Sequence, residues 1–268
     1  MRARLREIAR STEDIVHTGH YRSPLGREVT FAAELAIALA GTRLYGPDPV
    51  PVPRLDHDRP TRVEVTGEGS IQAAHRLSAK PDPLAVLNFA SARNPGGGYL
   101  NGAQAQEEAL CRDSALYTTL LRAPEFYAHH RASRDAFYTD RVIHSPGVPV
   151  FRDSQGELLE TPFTAGFLTS PAPNAGVIRR ESPDEAHRIP AVLASRAERI
   201  LEVAAANDYR RLVLGAWGCG VFQNDPALVA GTFRDLLTGR FAGHFDEVVF
   251  AVLDRTGAVR ETFARTFA

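Results

Sequence analysis

The stretch NFASARNPGGGYLNGAQAQEEALCR, residues 88–112, runs from an apolar segment through three consecutive glycines into a segment with helix-forming composition. The apolar segment before the glycines, PLAVLNFAS (83–91), has the length and composition of a buried strand. A strand that leads through a loop into a helix is the repeating unit of parallel sheets. This stretch therefore predicts an α/β fold.

The rest of the chain repeats this alternation. TRVEVTG (61–67) predicts a strand and SIQAAHRLSA (70–79) a helix, both upstream of the glycines. The remaining predicted strands are 140–151, 161–171, 210–222 and 246–254, and the remaining predicted helices are 104–130, 182–207, 226–238 and a short C-terminal one. The pattern predicts a mixed, largely parallel sheet flanked by helices.

The N-terminal part has a different character. Apolar positions at helical spacing predict a surface helix over residues 1–18 and a second helix over 32–44. The proline-rich segment PDPVPVPRL (47–55) can continue neither a helix nor a central strand. We therefore predict an N-terminal helical extension with its linker over residues 1–55 and the main domain over 56–268.

Composition narrows the classes of function. The chain has 268 residues, 44% hydrophobic and 24% charged, which is ordinary for a globular protein. The formal net charge of −1 offers no global positive field for duplex DNA, so direct nucleic-acid binding is not expected. Cys111 and Cys219 are too few for a disulfide framework and fit no zinc spacing. Without a signal or membrane-spanning pattern, we expect a cytoplasmic monomer.

Two neighbouring features suggest chemistry. Gly96, Gly97 and Gly98 have no side chains, so their backbone N–H groups could approach a phosphate closely. A turn that merely needs positive φ is the plain alternative. Glu107 and Glu108 follow at the start of the next predicted helix, where the helix dipole often favours acidic residues. Each feature alone therefore has an ordinary structural explanation.

Together, Gly-Gly-Gly, a short spacer and Gln-Glu-Glu resemble the motif of the poly(ADP-ribose) glycohydrolases, with the spacing of the bacterial-type branch. The resemblance extends through FTAGFLTSPAPNAG (163–176) and GAWGCGVFQND (215–225). It implies a macrodomain-like fold and hydrolysis of the ribose–ribose O-glycosidic bond, mainly exo-acting, with release of ADP-ribose. The implied substrates are poly(ADP-ribose) or ADP-ribosylated proteins, and no metal or other cofactor is implied.

The resemblance also implies roles for single residues. Glu108 would donate a proton to the leaving ribose oxygen, Glu107 would orient the terminal ribose, and Gln106 would belong to the same group. Asn94 is placed like the macrodomain asparagine that contacts the distal ribose. Neighbouring helical residues point about 100° apart, so the two glutamates should act from one side of the sugar rather than flank it.

A second glycine-rich stretch, GAWGCG (215–220), follows a predicted buried strand. Ligands bind beyond the carboxyl ends of strands in open α/β sheets. The resemblance implies that this loop wraps the diphosphate and distal ribose, with contacts from Gly218, Cys219, Gly220, Val221 and Phe222. The ring of Phe222 could stack on adenine or belong to the core. The structural alternative is a tight turn with Trp217 packed in the core.

Other functions stay open at this point. A non-catalytic ADP-ribose-binding domain would use the same loops, with the glutamates only capping a helix. A hydrolase of protein-linked mono-ADP-ribose would share the fold. We do not favour Cys219 as a nucleophile with His244 as its base. The adjacent His129 and His130 face different directions on a helix, so we expect them to be solvated rather than to bind a metal.

Overall fold

The computed structural model describes residues 2–53 and 60–268, which contain nine strands and ten α-helices. The strands are β1 (His20–Arg22), β2 (Glu28–Thr30), β3 (Arg43–Tyr45), β4 (Arg62–Thr66), β5 (Leu84–Phe89), β6 (Val142–Arg152), β7 (Leu158–Ser170), β8 (Arg211–Leu214) and β9 (Glu247–Ala251). The helices are α1 (Arg2–Thr18), α2 (Ala32–Gly41), α3 (Ser70–Leu77), α4 (Gln106–Asp113), α5 (Leu116–Leu120), α6 (Pro124–Ser133), α7 (Ala175–Glu181), α8 (Ile189–Ala206), α9 (Pro226–Thr238) and α10 (Ala258–Thr266).

Seven strands form one sheet in the order β3-β6-β7-β5-β8-β9-β4. The pairs β7/β5, β5/β8, β8/β9 and β9/β4 are parallel. Only β6 runs against its neighbours, pairing antiparallel with both β3 and β7. The prediction of a mixed, largely parallel sheet is therefore confirmed. The short strands β1 and β2 form a separate hairpin, which the sequence reading missed.

Helices cover both faces of the sheet because alternate residues of the central strands point to opposite sides. On β5, Val86 belongs to one hydrophobic cluster, and its neighbours Ala85 and Leu87 belong to the other. The first cluster includes residues of α1 to α6, and the second includes residues of α7 to α10. This packing explains why β5 reads as a continuous apolar run.

The predicted helix over 104–130 is wrong as a single element, because the chain forms α4, α5 and α6 instead. Ser114 is extended and bridges Val150 of β6. The N–H of Ala115 donates to Pro149 O at 2.9 Å rather than to a helical carbonyl. Pro124 then opens α6. The helix breaks because its backbone bonds to a strand that is distant in the sequence.

Other boundaries differ in smaller ways. The predicted helix from Ser182 begins as a 3-10 turn over Pro183–Arg188 and continues as α8. The Ser182 side chain makes no capping hydrogen bond. The second predicted helix ends at Gly41, and the residues after it form β3. The short helix α7 was not predicted.

The N-terminal helix α1 is confirmed, and residues before the predicted linker also contribute β3 to the main sheet. The predicted boundary between residues 55 and 56 falls in 54–59, outside the described residues, so the division into an extension and a main domain stays a prediction. None of the helices in the described ranges is long and apolar enough to cross a membrane.

Candidate active site

The predicted site residues gather at the carboxyl ends of β5 and β8, two neighbouring parallel strands. We call residues 94–98 loop 1 and residues 215–222 loop 2. Loop 1 lies between β5 and α4, and loop 2 begins directly after β8. Because β5 and β8 run in parallel, both loops leave the sheet at the same edge, as the sequence predicted.

Gln106 fixes where α4 begins. Its Oε1 accepts a hydrogen bond from the Phe89 N–H at 2.9 Å. Its Nε2 donates to Leu87 O at 2.8 Å and to Ser70 Oγ at 3.0 Å. The first residue of α4 is thereby hydrogen-bonded to the carboxyl-terminal end of β5, which sets the position of the two glutamates that follow. A contact between Gln106 and substrate stays a prediction.

Glu107 is almost fully buried, and both of its carboxyl oxygens accept hydrogen bonds. Asn88 Nδ2 donates to Oε1 at 3.3 Å, and the Ser91 N–H donates to Oε2 at 2.7 Å. Burial raises the pKa of Glu107 to about 8, although these hydrogen bonds act in the opposite direction, and the neighbouring Glu108 charge raises it further. Glu107 therefore holds a proton for much of the time near neutral pH.

Glu108 is buried too, but its carboxyl oxygens differ from each other. Oε1 accepts a hydrogen bond from the Gly98 N–H at 2.8 Å. Oε2 is buried and has no hydrogen-bond partner in the described part of the chain. A buried carboxyl oxygen without a partner is uncommon and points to a group supplied by a ligand. Of the two adjacent glutamates, Glu108 is the one with a free oxygen.

The glycines of loop 1 let the backbone lie against these carboxyl groups. Gly97 has φ +58°, and a Cβ there would be 2.5 Å from Glu108 Oε1 and 3.2 Å from Glu107 Oε2. A Cβ on Gly96, at φ +65°, would be 2.9 Å from the Tyr117 ring. A side chain at Gly97 would therefore displace the glutamate carboxyl groups, and one at Gly96 would displace the Tyr117 ring.

The N–H groups of loop 1 are already used within the protein. The Gly97 N–H donates to Asn94 O at 2.9 Å, the Gly98 N–H donates to Glu108, and the Gly96 N–H lowers the pKa of Glu107 by hydrogen bonding. The interpretation that these N–H groups form a free anion cradle is thus wrong for this structure. The loop holds the glutamates instead, and a direct contact with substrate stays a prediction.

Three residues of the site escaped the sequence reading. Asn88 and Thr169 are fully buried at paired positions of β5 and β7, and Asn88 Nδ2 donates to Thr169 Oγ1 at 3.1 Å as well as to Glu107. Ser91 holds the other Glu107 oxygen and accepts from the Asn94 N–H at 3.2 Å. An asparagine inside an apolar run was the available signal, because a buried amide needs polar partners. Asn94 itself is exposed.

Loop 2 is anchored at one end by Trp217. The indole is buried, and its Nε1 donates to Ser170 O at 3.0 Å, so the core position of Trp217 proposed as the structural alternative is correct. Gly218 has φ +72°, and a Cβ there would collide with Ala172. Asn224 Nδ2 donates to Gly218 O at 3.1 Å and to Pro173 O at 2.8 Å. These contacts fix loop 2 against the segment that follows β7.

The remainder of loop 2 is open. Within residues 2–53 and 60–268, no acceptor is found for the N–H groups of Gly218, Gly220, Val221 and Phe222. Val221 is 82% exposed, and nothing lies within 4 Å of a Cβ placed on Gly220. Successive unpaired N–H groups in a turn favour an anion. Both glycine-rich loops were expected to contact the phosphate groups of a ligand. The unpaired N–H groups that could do so are in loop 2.

Loop 2 also contains an aromatic ring, Phe222, and a thiol, Cys219. The half-buried Phe222 ring lies 5.9 Å from the Tyr138 ring, between centroids, and Tyr138 was not predicted. Burial raises the pKa of Cys219 to about 12, so its thiol stays protonated near neutral pH and is a poor nucleophile.

One of the two adjacent histidines of α6 differs from expectation. His130 is fully buried, and its Nε2 lies 2.8 Å from Thr139 Oγ1, so the prediction that it is solvated is wrong. No group of three or more His, Cys, Asp or Glu side chains able to hold a metal was found in the described ranges. The expectation of chemistry without a metal or other cofactor stays a prediction.

Comparison with known proteins agrees with this geometry. The profile of the family described as "Microbial-type PARG, catalytic domain" matches residues 9–153, just over half of the chain. No curated protein sequence matches significantly. Solved structures do match: the poly(ADP-ribose) glycohydrolase from Thermomonospora curvata is 49% identical with a TM-score of 0.95, covering 99% of this chain and 100% of that one.

Two ligand-bound relatives are similar as well. The Thermomonospora curvata enzyme bound to the inhibitor ADP-HPD is 48% identical with a TM-score of 0.90, covering 98% of this chain and 99% of that one. The Deinococcus radiodurans enzyme in complex with ADP-ribose is 46% identical with a TM-score of 0.80, covering 87% of this chain and 96% of that one. With these matches over a shared fold, the chain belongs to the microbial-type poly(ADP-ribose) glycohydrolase family.

Proposed function

We propose that this protein hydrolyses the ribose–ribose O-glycosidic bond of poly(ADP-ribose) and releases ADP-ribose. The observation that carries the proposal is Glu108 Oε2, a buried carboxyl oxygen with no partner in the described residues, next to the glycine loop of the family motif. A carboxyl group that only capped α4 would have no reason to keep one oxygen buried and unbonded. Family membership supports the same activity.

Loop 2 supplies the binding half of the site. Its unpaired N–H groups suit the diphosphate of ADP-ribose, because backbone donors in a turn bind phosphate oxygens without a side chain in the way. The rings of Phe222 and Tyr138 lie beside this loop and offer an apolar face to adenine. Relatives solved with ADP-ribose and with ADP-HPD support a ligand of this class.

The two glutamates take different roles in this proposal. Glu107 is held rigidly by Asn88 and Ser91 and orients the terminal ribose by hydrogen bonds to its hydroxyl groups. Glu108 donates a proton from its free oxygen to the ribose oxygen that leaves as the C–O bond breaks. The resulting carboxylate then takes a proton from the water that attacks the oxocarbenium-like sugar, which restores Glu108.

A carboxyl proton is present in the site near neutral pH, because burial raises the pKa of Glu107 to about 8. The side chains of Glu107 and Glu108 both lie around the same position, Gly97. The near-complete burial of both glutamates also fits mainly exo cleavage, because a chain end enters a confined site more readily than the middle of a polymer.

The decisive experiment compares release of ADP-ribose from an automodified protein with calorimetric binding of ADP-ribose, for the wild type, Glu108→Gln and Glu107→Gln. The proposal predicts release by the wild type and its loss in Glu108→Gln with binding retained. Binding without any release by the wild type would leave a non-catalytic ADP-ribose-binding domain. Turnover retained in Glu108→Gln but lost in Glu107→Gln would reverse the two roles.

The cytoplasmic location, the monomeric state and the lack of direct nucleic-acid binding are predictions from composition and pattern. Action on protein-linked mono-ADP-ribose is the alternative activity on the same fold. It would show in the same release assay as removal of the last unit from the modified protein.

A further inference from the structure

Three arginines beside loop 1 form a group that we call the arginine rim: Arg93, Arg131 and Arg134. Arg131 lies on α6, and its Nη1 donates to the backbone oxygen of Arg93 at 2.8 Å. The guanidinium of α6 thus lies on the segment that leads into loop 1. Arg134 follows three residues later as the left-handed residue that ends α6.

Within residues 2–53 and 60–268, the three side chains form no ion pair, and the hydrogen bond they make is the one from Arg131 to the Arg93 backbone. Asp135 and Asp140 follow the two α6 arginines along the sequence, and both accept hydrogen bonds from other groups. Asp135 Oδ1 accepts from the Phe137 N–H at 2.8 Å. Asp140 accepts from Arg196 Nε at 3.1 Å and from a serine hydroxyl of α8. Neither carboxylate therefore forms a hydrogen bond or ion pair with an arginine of the rim.

Exposed arginines elsewhere in the protein do form ion pairs with acidic side chains. Arg265 lies 2.9 Å from Glu261 on α10, and Arg234 lies 2.7 Å from Asp235 on α9. Inside the rim, by contrast, Arg93 Nε is buried and lacks any hydrogen-bond partner among the described residues. The Nε atoms of Arg199 and Arg211 are also buried and unbonded, but those guanidinium groups donate through their other nitrogens. Among the described residues no acceptor is found for any nitrogen of the Arg93 guanidinium, and an external anion would supply one.

The rim lies close to the proposed site of cleavage. Ser91, two residues before Arg93, donates its N–H to Glu107 Oε2 at 2.7 Å. Arg93 therefore lies two residues from Ser91, whose N–H contacts the carboxyl group of Glu107. It lies along loop 1, whereas the unpaired N–H groups proposed to bind the diphosphate of the terminal unit are in loop 2.

We propose that Arg93, Arg131 and Arg134 bind the diphosphate of the second ADP-ribose unit, on the leaving side of the bond that is cleaved. This inference rests on the proposed function, because it takes a polymer as the substrate. After cleavage at Glu108 the remaining polymer begins with an adenosine ribose, and its own diphosphate is the next anionic group. Guanidinium groups match phosphate oxygens in charge and in bidentate geometry.

The test uses the double variant Arg131→Gln/Arg134→Gln, whose two side chains are exposed. The matched control is Arg234→Gln/Arg265→Gln, which removes the same charge from two exposed arginines of other helices. The KM for polymer of defined length is measured over a salt series, and the Kd for ADP-ribose is measured by calorimetry. The rim variant should raise the polymer KM about 5-fold to 10-fold at low salt, with kcat and the ADP-ribose Kd within about 2-fold of wild type. The slope of log KM against log salt should fall by about 1.4.

Two results would overturn the arginine rim. One is a polymer KM in the rim variant equal to that of the control. The other is an ADP-ribose Kd that weakens by the same factor as the polymer KM, because the arginines would then act on the terminal unit. Absence of polymer turnover by the wild type would instead count against the proposed function. In that case the Kd of intact polymer for the same variants tests the arginine rim separately. Weaker polymer binding by the rim variant than by the control would support the rim, and equal binding would overturn it.

Discussion

Loop 1 and loop 2 are both rich in glycine and both leave the same edge of the sheet, yet they use their backbones in opposite ways. In loop 1 the N–H groups of Gly97 and Gly98 donate within the protein, the latter to Glu108. In loop 2 the N–H groups of Gly220 and Val221 have no acceptor in the described ranges. Loop 1 holds the side chains of the two glutamates, and the unpaired donors of loop 2 are the groups that we propose bind the ligand.

The difference shows that glycine serves two physical purposes in one site. At Gly97 the missing side chain makes room for a carboxyl group and allows φ of +58°. At Gly220 a Cβ would point into open space, so the missing side chain leaves the neighbouring donors accessible to a ligand. Four predictions test this division of labour, from the largest expected effect to the smallest.

The first prediction concerns Glu108, whose Oε2 is the group that we propose transfers the proton. Replacement by Gln keeps the shape and the bond from Gly98 but removes the proton-transfer group. We expect kcat on poly(ADP-ribose) to fall about 10³-fold, roughly 4 kcal/mol in the barrier, with the ADP-ribose Kd within about 3-fold of wild type. Steady-state kinetics and calorimetry measure the two quantities. A kcat within a few-fold of wild type would remove Glu108 from the mechanism.

The second prediction contrasts Gly97→Ala with Gly220→Ala. The methyl group of Gly97→Ala would be 2.5 Å from Glu108 Oε1, and the backbone there has positive φ, so kcat should fall about 10²-fold. Gly220→Ala meets nothing within 4 Å and should keep its melting temperature and kcat, with a weaker ADP-ribose Kd. Equal effects of the two substitutions on kcat and Kd would contradict the proposed division between the loops.

The third prediction uses the titration of Glu107. Its pKa in the folded protein is about 8, above the ordinary value of 4.5, so the folded state binds more protons than the unfolded state between these two pH values. Stability should therefore fall as pH rises through this window, by about 2–3 kcal/mol from pH 5.5 to 7.5 for this group alone. Urea unfolding of the wild type and Glu107→Gln isolates the effect, because the other titrations cancel in the difference. Parallel curves for the two proteins would show that burial does not raise this pKa.

The fourth prediction is the smallest and concerns support of loop 1 from behind. The Tyr99 hydroxyl lies 3.1 Å from Ala9 O and 2.9 Å from Glu13 Oε1, so its one hydrogen bonds to an acceptor on α1 and joins that helix to the turn after the glycines. Tyr99→Phe should cost about 1 kcal/mol of stability and lower kcat about 2-fold to 3-fold. Tyr45→Phe removes a hydroxyl bonded to Asn207, away from loop 1, and should lower stability without changing kcat. The same kcat in both variants would show that α1 does not support loop 1.

Local pattern was enough to predict most of the fold. The β5 strand, the glycines and the start of α4 are adjacent in sequence, so their order and type follow from composition and spacing. The single helix over 104–130 failed because Ala115 bonds to Pro149, a partner that no local window contains. Element type was thus predictable where the bonds are local and failed where they reach another strand.

The residues that gather at the site could be predicted from the sequence, but the hydrogen bonds that hold them could not. Glu107 and Glu108 were found through the family motif, and loop 2 through the glycines that follow β8. The N–H group of Gly98 is occupied because the Glu108 side chain folds back onto it. Three consecutive glycines do not reveal that contact in the sequence. Asn88 could have been noticed as a polar residue in an apolar strand, but Thr169, its partner, lies 81 positions away.

A crystal structure of the ADP-ribose complex tests the central claim most directly. The account predicts diphosphate oxygens at about 3 Å from the N–H groups of Gly220, Val221 or Phe222, and the distal ribose at hydrogen-bond distance from Glu108 Oε2. The bond from Gly98 to Glu108 should remain. A diphosphate bound to Gly97 and Gly98 instead, with Glu108 turned away from the sugar, would contradict it.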